Sequence, residues 1–252
     1  MNNLSQKQKS LIRSLYTRHG RKKKALCICE GVRCCEELIK TSPELVEFVI
    51  KRQSLQVDFE INCNSYIIPD NEFEKLAATV NSQGILCVAN IPDAENKKPV
   101  DDFILVLDKV GDPGNFGTIL RTAKAAGLTE VWYTAGSVDP YNDKTIRSAM
   151  AAQFSMRLKC FNDLQSLSEE AVKYGYKNFY LTDPHQGSNL FTEGELYNKS
   201  LLIIGSEAHG VSQLENSRRV TIPMPGKFES LNAAQAATIF IFEYVRRTCI
   251  KN

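Results

Sequence analysis

The chain has no CxxC pair, although it carries eight cysteines: Cys27, Cys29, Cys34, Cys35, Cys63, Cys87, Cys160 and Cys249. Only three histidines are available as further ligands, so the spacing fits neither a zinc site nor a secreted disulfide scaffold. The thiols are expected to be reduced and mostly buried, and the protein cytoplasmic. No run approaches the roughly 18 apolar residues of a membrane span, and no apolar signal segment opens the sequence. Dinucleotide chemistry lacks its GxGxxG, nucleotide triphosphate chemistry lacks a Gly-Lys-Ser/Thr loop, and a hydrolase elbow lacks GxSxG. Acid is missing from the first 24 residues, which hold Lys7, Lys9, Arg13, Arg18, Arg21, Lys22, Lys23 and Lys24. Such an arm can neutralise nucleic-acid phosphates, or it can be a solvated tail. Charge alone leaves both open.

What is present is ordinary for a water-borne protein: 252 residues, 43% hydrophobic, 24% charged, net charge +2. That length holds one large domain or two modest ones. After the arm, 25-ALCICEG-31 reads as a strand and turn, and 32-VRCCEELIKT-41 as a helix. Strands follow at 45-LVEFVIKR-52, 65-SYIIP-69 and 85-ILCVANI-91, with a helix at 71–80 that Asp70 is expected to cap. The polar stretch 92-PDAENKKPVDD-102 is the linker candidate. These features predict a first domain over 1–95, a linker over 96–102 and a second domain over 103–252.

The second domain opens on 103-FILVLDKV-110, a continuous apolar run suited to a buried parallel strand. Strands at 131–135, 178–182, 201–205 and 219–224 alternate with helices near 119–127, 143–154, 163–174 and 233–247. The pattern predicts an α/β fold with a mostly parallel sheet, whose ligands bind outside the carboxyl ends of the strands. Three polar turns stand there. Gly111–Thr118 brings glycines and Asn115, with Arg121 a turn further on, where a guanidinium can clamp a phosphate. Gly205–Gly210 holds Ser206, Glu207 and His209. Glu229–Asn232 offers Ser230 and Asn232, either of which can cap the long last helix. Each turn also has a purely structural reading. Residues alone support a small-ligand site rich in Arg, Asn and Ser.

In 108-DKVGDPGNFGTILRTAKAAG-127, 203-IIGSEAHG-210 and 221-TIPMPGKFESLNAAQAATIFIFE-243 the chain resembles the SpoU/TrmH family of RNA ribose 2'-O-methyltransferases, of the SPOUT class. The resemblance covers 103–247, and 25–91 is more weakly similar to the family's small ribosomal-protein-L30-like RNA-binding domain. It implies a C-terminal trefoil knot, S-adenosyl-L-methionine as cofactor, no metal, and a homodimer with its active site at the subunit interface. By motif match, Asn115, Arg121, Glu207, Ser230 and Asn232 take the catalytic positions. Backbone around Thr182, Gly205, Ile222, Met224 and Leu231 would hold the cofactor. Ser206 and Ala208 depart from the usual Gly-Asn-Glu-Gly of the second motif. The implied substrate is RNA, with 23S-type ribosomal RNA ahead of transfer RNA. A catalytically silent RNA-binding or ribosome-assembly protein is the alternative.

Overall fold

The computed structural model describes residues 4–93, 98–207, 209–226 and 229–249. They form two compact units: one of residues 1–93 with 139–155, the other of 94–138 with 156–252.

In the first unit the basic arm is folded. Helix α1 (Gln6–Leu15) starts on a reciprocal capping box between Ser5 and Gln8, which satisfies two otherwise unpaired backbone donors. Its apolar stripe sends Ile12 and Leu15 into a core with Ile28, Ile50, Leu86 and Val88. Burial of each such side chain stabilises by about 1.5–3 kcal/mol, so the segment is held in place as no solvated tail would be. Helix α2 (Arg18–Lys24) is capped by Thr17 and ends at Ala25 in the left-handed region.

Strands β1 (Leu26–Glu30), β2 (Val46–Arg52), β3 (Ser65–Ile68) and β4 (Ile85–Asn90) form a sheet in the order β1-β4-β2-β3. Helix α3 (Val32–Thr41) lies between β1 and β2 in sequence and buries Cys34, Cys35 and Leu38. Helix α4 (Asp70–Glu74) is shorter than the 71–80 expected, and Asp70 does not cap it. The Asp70 carboxylate instead accepts from the Ser54 backbone N–H at 3.1 Å and bonds the Ser54 hydroxyl.

A segment from the middle of the chain completes this unit. Helix α6 (Asp143–Ala149) packs on β1 and buries Ile146. Asp139 accepts from Arg21 at 2.8 and 2.6 Å, and the Ser42 hydroxyl donates to the Phe154 carbonyl at 3.3 Å. The sequence pattern predicts all of 103–252 as one domain. Spatially, 139–155 belongs with the first unit, because its apolar face covers β1 and its acid pairs with the buried Arg21.

The second unit is built on seven parallel strands: β5 (Phe103–Asp108), β6 (Glu130–Thr134), β7 (Arg157–Phe161), β8 (Asn178–Thr182), β9 (Ser188–Asn189), β10 (Ser200–Gly205) and β11 (Arg218–Thr221). Their order is β7-β6-β5-β10-β8-β11-β9. The central β5 and β10 are buried at every residue, as continuous apolar runs require when both faces are covered. One face packs Ile104, Val106, Trp132 and Ile203 against Leu164 and Leu167 of helix α7 (Leu164–Lys173). On the other, helices α5 (Pro113–Ala125) and α8 (Ala233–Thr248) pack together, and Phe103 meets Tyr197 and Tyr244 in ring contacts at 5.1 and 4.9 Å. All pairings in this sheet are parallel. The carboxyl ends of β5, β8, β10 and β11 therefore open on one side, and that is where the three polar turns go.

Candidate active site

The first of these turns is helix, not loop. Asp112 takes the N-cap and its Oδ1 accepts from the Asn115 backbone N–H at 2.7 Å. Pro113 occupies the first helical position, where its missing N–H costs nothing. Asn115 thus stands in the first turn of α5, with its side chain fixed at the open end of the sheet.

The second turn leaves β10 at Gly205 and closes on itself through a bridge between Ser206 and Gly210. A Cβ on Gly205 would lie 2.2 Å from the Gly210 carbonyl atoms and 2.4 Å from the Val211 nitrogen. Nothing larger than hydrogen fits against backbone that close. Just beyond, the Ser212 N–H donates at 2.8 Å to Asp108, which also accepts from the Thr134 hydroxyl at 2.7 Å. Buried Asp108 therefore ties this loop to the ends of β5 and β6. Ala208, one of the two departures from the usual second motif, lies outside the described residues.

The third turn is capped by Asn232, whose Oδ1 accepts from the Ala234 and Gln235 N–H groups at 3.0 and 3.3 Å. Ser230, the other capping candidate, does not serve. The Asn232 amide nitrogen is left to point elsewhere, and it joins the other two turns. It donates to Glu207 Oε1 at 2.5 Å and to Asn115 Oδ1 at 3.0 Å, while Asn115 Nδ2 donates to the same Glu207 oxygen at 2.8 Å. The Ala233 N–H reaches that oxygen at 3.4 Å. One carboxylate thus gathers two amides and the first turn of α8, whose N-terminal partial positive charge favours an anion.

Beside this cluster is a cleft of about 260 Å³, lined by Thr182, Gly205, Ile222, Met224 and Leu231, together with Glu207 and Ser230. All five residues expected around the cofactor share this one wall. Sequence reasoning did not single out Asp183, Ala236 and Phe240, which also line it. Asp183 follows directly on β8, a position that could have been noticed. Burial pushes its carboxyl up, but N–H groups of His185 and Gln186 and the Arg219 guanidinium outweigh that and hold it below the usual carboxylate range. Arg121 is not on the cleft wall. It stands exposed on α5, its guanidinium bonded to no described residue.

Known proteins resemble the chain in sequence and in fold. The SpoU rRNA Methylase family matches residues 102–242. The chain belongs to that family. Residues 8–87 match the MRM3-like substrate binding domain. Among relatives, the 23S rRNA (guanosine(2553)-2'-O)-methyltransferase RlmP of Bacillus subtilis is 32% identical, over 91% of this chain and 92% of its own length. Among solved structures, a putative RNA methyltransferase of the TrmH family from Porphyromonas gingivalis superposes with a TM-score of 0.84 at 28% identity, covering 98% of this chain and all of its own. The SpoU methyltransferase AviRb of Streptomyces viridochromogenes, solved with AdoMet, shares the fold at a TM-score of 0.79, with 22% identity over 96% of this chain and 98% of its own.

The groups on the cleft wall suit the SpoU cofactor. Ile204, Ile222, Met224 and Leu231 offer apolar surface for a flat ring, and the crowded backbone at Gly205 leaves main-chain groups to meet the ligand there. Gly205→Ala would push the 205–210 loop off the cleft wall. The expected result is S-adenosylmethionine affinity about tenfold weaker or worse, since misplaced groups of about 1 Å are already costly. Calorimetric titration measures it, with a circular dichroism melt to show that the sheet persists.

Proposed function

We propose that this SpoU-family chain transfers a methyl group from S-adenosylmethionine to a ribose 2'-hydroxyl of 23S-type ribosomal RNA. The observation that carries the reading is the meeting of Asn115, Glu207 and Asn232 beside the cleft of Thr182, Gly205, Ile222, Met224 and Leu231. Similarity to a 23S rRNA enzyme through both units, over 91% of the chain, supports ribosomal over transfer RNA.

S-adenosylmethionine, when bound, would supply a methyl on a positive sulfur; the sulfur would leave neutral as the C–S bond gives way to O–CH3, and the 2'-hydroxyl proton would pass to water. The chain's part is to align and to hold charge. Asn115, Glu207 and Asn232 lock the three turns into one geometry, and the Ser230 hydroxyl is available on the wall to hydrogen-bond the incoming ribose. Arg121 is assigned to clamping the RNA phosphate and orienting the 2'-hydroxyl; a guanidinium offers five N–H donors and no acceptor, which suits a clamp and not a base. Its exposed place on α5, away from the cleft wall, supports a homodimer in which Arg121 of a second copy completes the site. The reading carries the family's knotted C-terminal segment with it. Among the described residues no helix is long and apolar enough to cross a membrane; the buried thiols of Cys27, Cys29, Cys35 and Cys87, none in a disulfide, support action in the cytoplasm.

The test is a map of 2'-O-methylated nucleotides in total RNA from cells with and without the gene. The expected result is loss of methylation at a 23S ribosomal nucleotide, restored by purified protein and cofactor. A methyl found on a base by nucleoside mass spectrometry, or no change in either RNA class, overturns the reading.

A further inference from the structure

Helix α2 has the sequence Arg-His-Gly-Arg-Lys-Lys-Lys. One of its cations is used internally. Arg21 is 5% exposed, donates to the Leu15 carbonyl at 3.0 Å and forms the ion pair with Asp139 at 2.6 Å. The helix is pressed close enough that a Cβ on Gly20 would sit 2.0 Å from the Ser14 carbonyl oxygen. At its far end the chain turns sharply through Ala25 at φ 51°. These contacts hold α2 fast against the first unit.

The remaining cations are different. Arg18, Lys22, Lys23 and Lys24 are exposed, and their side chains bond no described residue. Lys9 on α1, by contrast, pairs with Glu72 at 2.6 Å. Helix polarity accounts for part of this, since cations are favoured at a helix C-terminus. It does not account for Arg18, which stands in the first turn, where a cation is disfavoured. Four like charges on a helix that rises about 9 Å from end to end are spaced on the scale of one screening length, about 8 Å at physiological salt, so neighbours among them repel one another. A flexible tail would relieve that repulsion by spreading; a helix docked through Gly20 and Arg21 cannot.

We infer that Arg18, Lys22, Lys23 and Lys24 form a phosphate-binding face that grips the RNA backbone without reading its sequence. The inference rests on the RNA reading above and adds the surface. Charge complementarity argues for it, and composition argues against other occupants. No Phe, Tyr, Trp or large aliphatic residue stands in α2, so it lacks the insertion face of a membrane-surface helix and the anchors of a protein interface. A rigid set of point charges fits a linear polyanion, in which each neutralised phosphate releases counterions.

The test is binding of the full-length protein to a fluorescently labelled 23S rRNA fragment, read by anisotropy between 50 and 300 mM KCl. For the quadruple Arg18→Ala, Lys22→Ala, Lys23→Ala, Lys24→Ala variant the expected result is affinity about 100-fold weaker at physiological salt. Its log–log salt slope should be shallower by about 3, at roughly 0.7 for each phosphate no longer neutralised. Arg18→Lys with Lys22→Arg, Lys23→Arg and Lys24→Arg keeps the charge and should keep both affinity and slope. Calorimetry should give both variants wild-type S-adenosylmethionine affinity, which also shows that they fold. An alanine variant with wild-type affinity and slope overturns the inference, as does one that binds RNA normally but loses binding to polyglutamate, which would assign the face to an acidic protein. Failure of the RNA reading itself is distinguishable: wild type would then neither bind the fragment nor methylate it.

Discussion

Arg121→Ala is expected to abolish methyl transfer while leaving S-adenosylmethionine binding nearly intact. The residue is exposed on α5 and absent from the cleft wall, so its removal takes away nothing that shapes the cofactor site. Its guanidinium has no described partner to leave stranded, and an exposed Arg→Ala change of this kind moves stability by about 0.5 kcal/mol or less. What disappears is a fixed positive fork for a phosphate and a hydroxyl. Groups of that kind contribute about 10²–10⁴ to rate. Turnover on ribosomal RNA should fall by about 10³-fold with the cofactor Kd within about twofold, measured by tritiated-methyl transfer and calorimetry. Full activity in the variant would remove Arg121 from the chemistry. If the residue acts across a dimer, an equimolar mixture of Arg121→Ala with a variant broken at the cleft should recover part of the activity.

The second large effect is expected at Glu207. One of its oxygens receives the Asn115 and Asn232 amides and lies 3.4 Å from the Ala233 N–H. Glu207→Ala removes the point in that cluster where all three turns meet, and leaves two amide donors to find water. Each charge-assisted bond broken at this exposed position costs about 1 kcal/mol, so the sheet should survive with a melting temperature a few degrees lower. The functional cost should be greater. With the turns free to drift by about 1 Å, turnover should fall by about 100-fold and the cofactor should bind more weakly. Glu207→Gln keeps an oxygen acceptor in nearly the same place and should retain most of the cofactor affinity. Equal loss in the two variants would show that the charge matters rather than the scaffold it organises. Affinity and turnover close to wild type in Glu207→Ala would show that the cluster is not needed.

The strands that carry the site were legible because β5 and β10 are unbroken apolar runs, a pattern that suits burial on both faces. β7 was not legible. It sits at the sheet edge with only Leu158 buried, Cys160 exposed and the other three residues intermediate, and Arg157-Leu-Lys-Cys-Phe161 carries no run to mark it. The helix α5 start was hidden for a local reason: Gly-Asp-Pro-Gly has the composition of a turn, and only the Asp112 cap shows that the helix begins at Pro113. Asn232 as cap was readable from its place before an apolar periodic segment. Its second task, holding Glu207 and Asn115, joins residues 25 and 117 positions away, and no local pattern encodes such a meeting. Motif resemblance brought those residues together before geometry did. The same limit hid the place of 139–155, whose anchor to Arg21 spans 118 positions.

That returning segment has a consequence for the order in which the protein can be made. Residues 1–93 leave the ribosome with the outer side of β1 uncovered, and the helix that covers it arrives only after β5, α5 and β6 have been synthesised. Units generally fold as they emerge, yet here the first cannot close until residue 155 is available. By then the second unit has begun and is waiting for its own last strands. No single cut yields either unit whole: one after Asp93 strips a helix from the first and leaves that helix stranded inside the second.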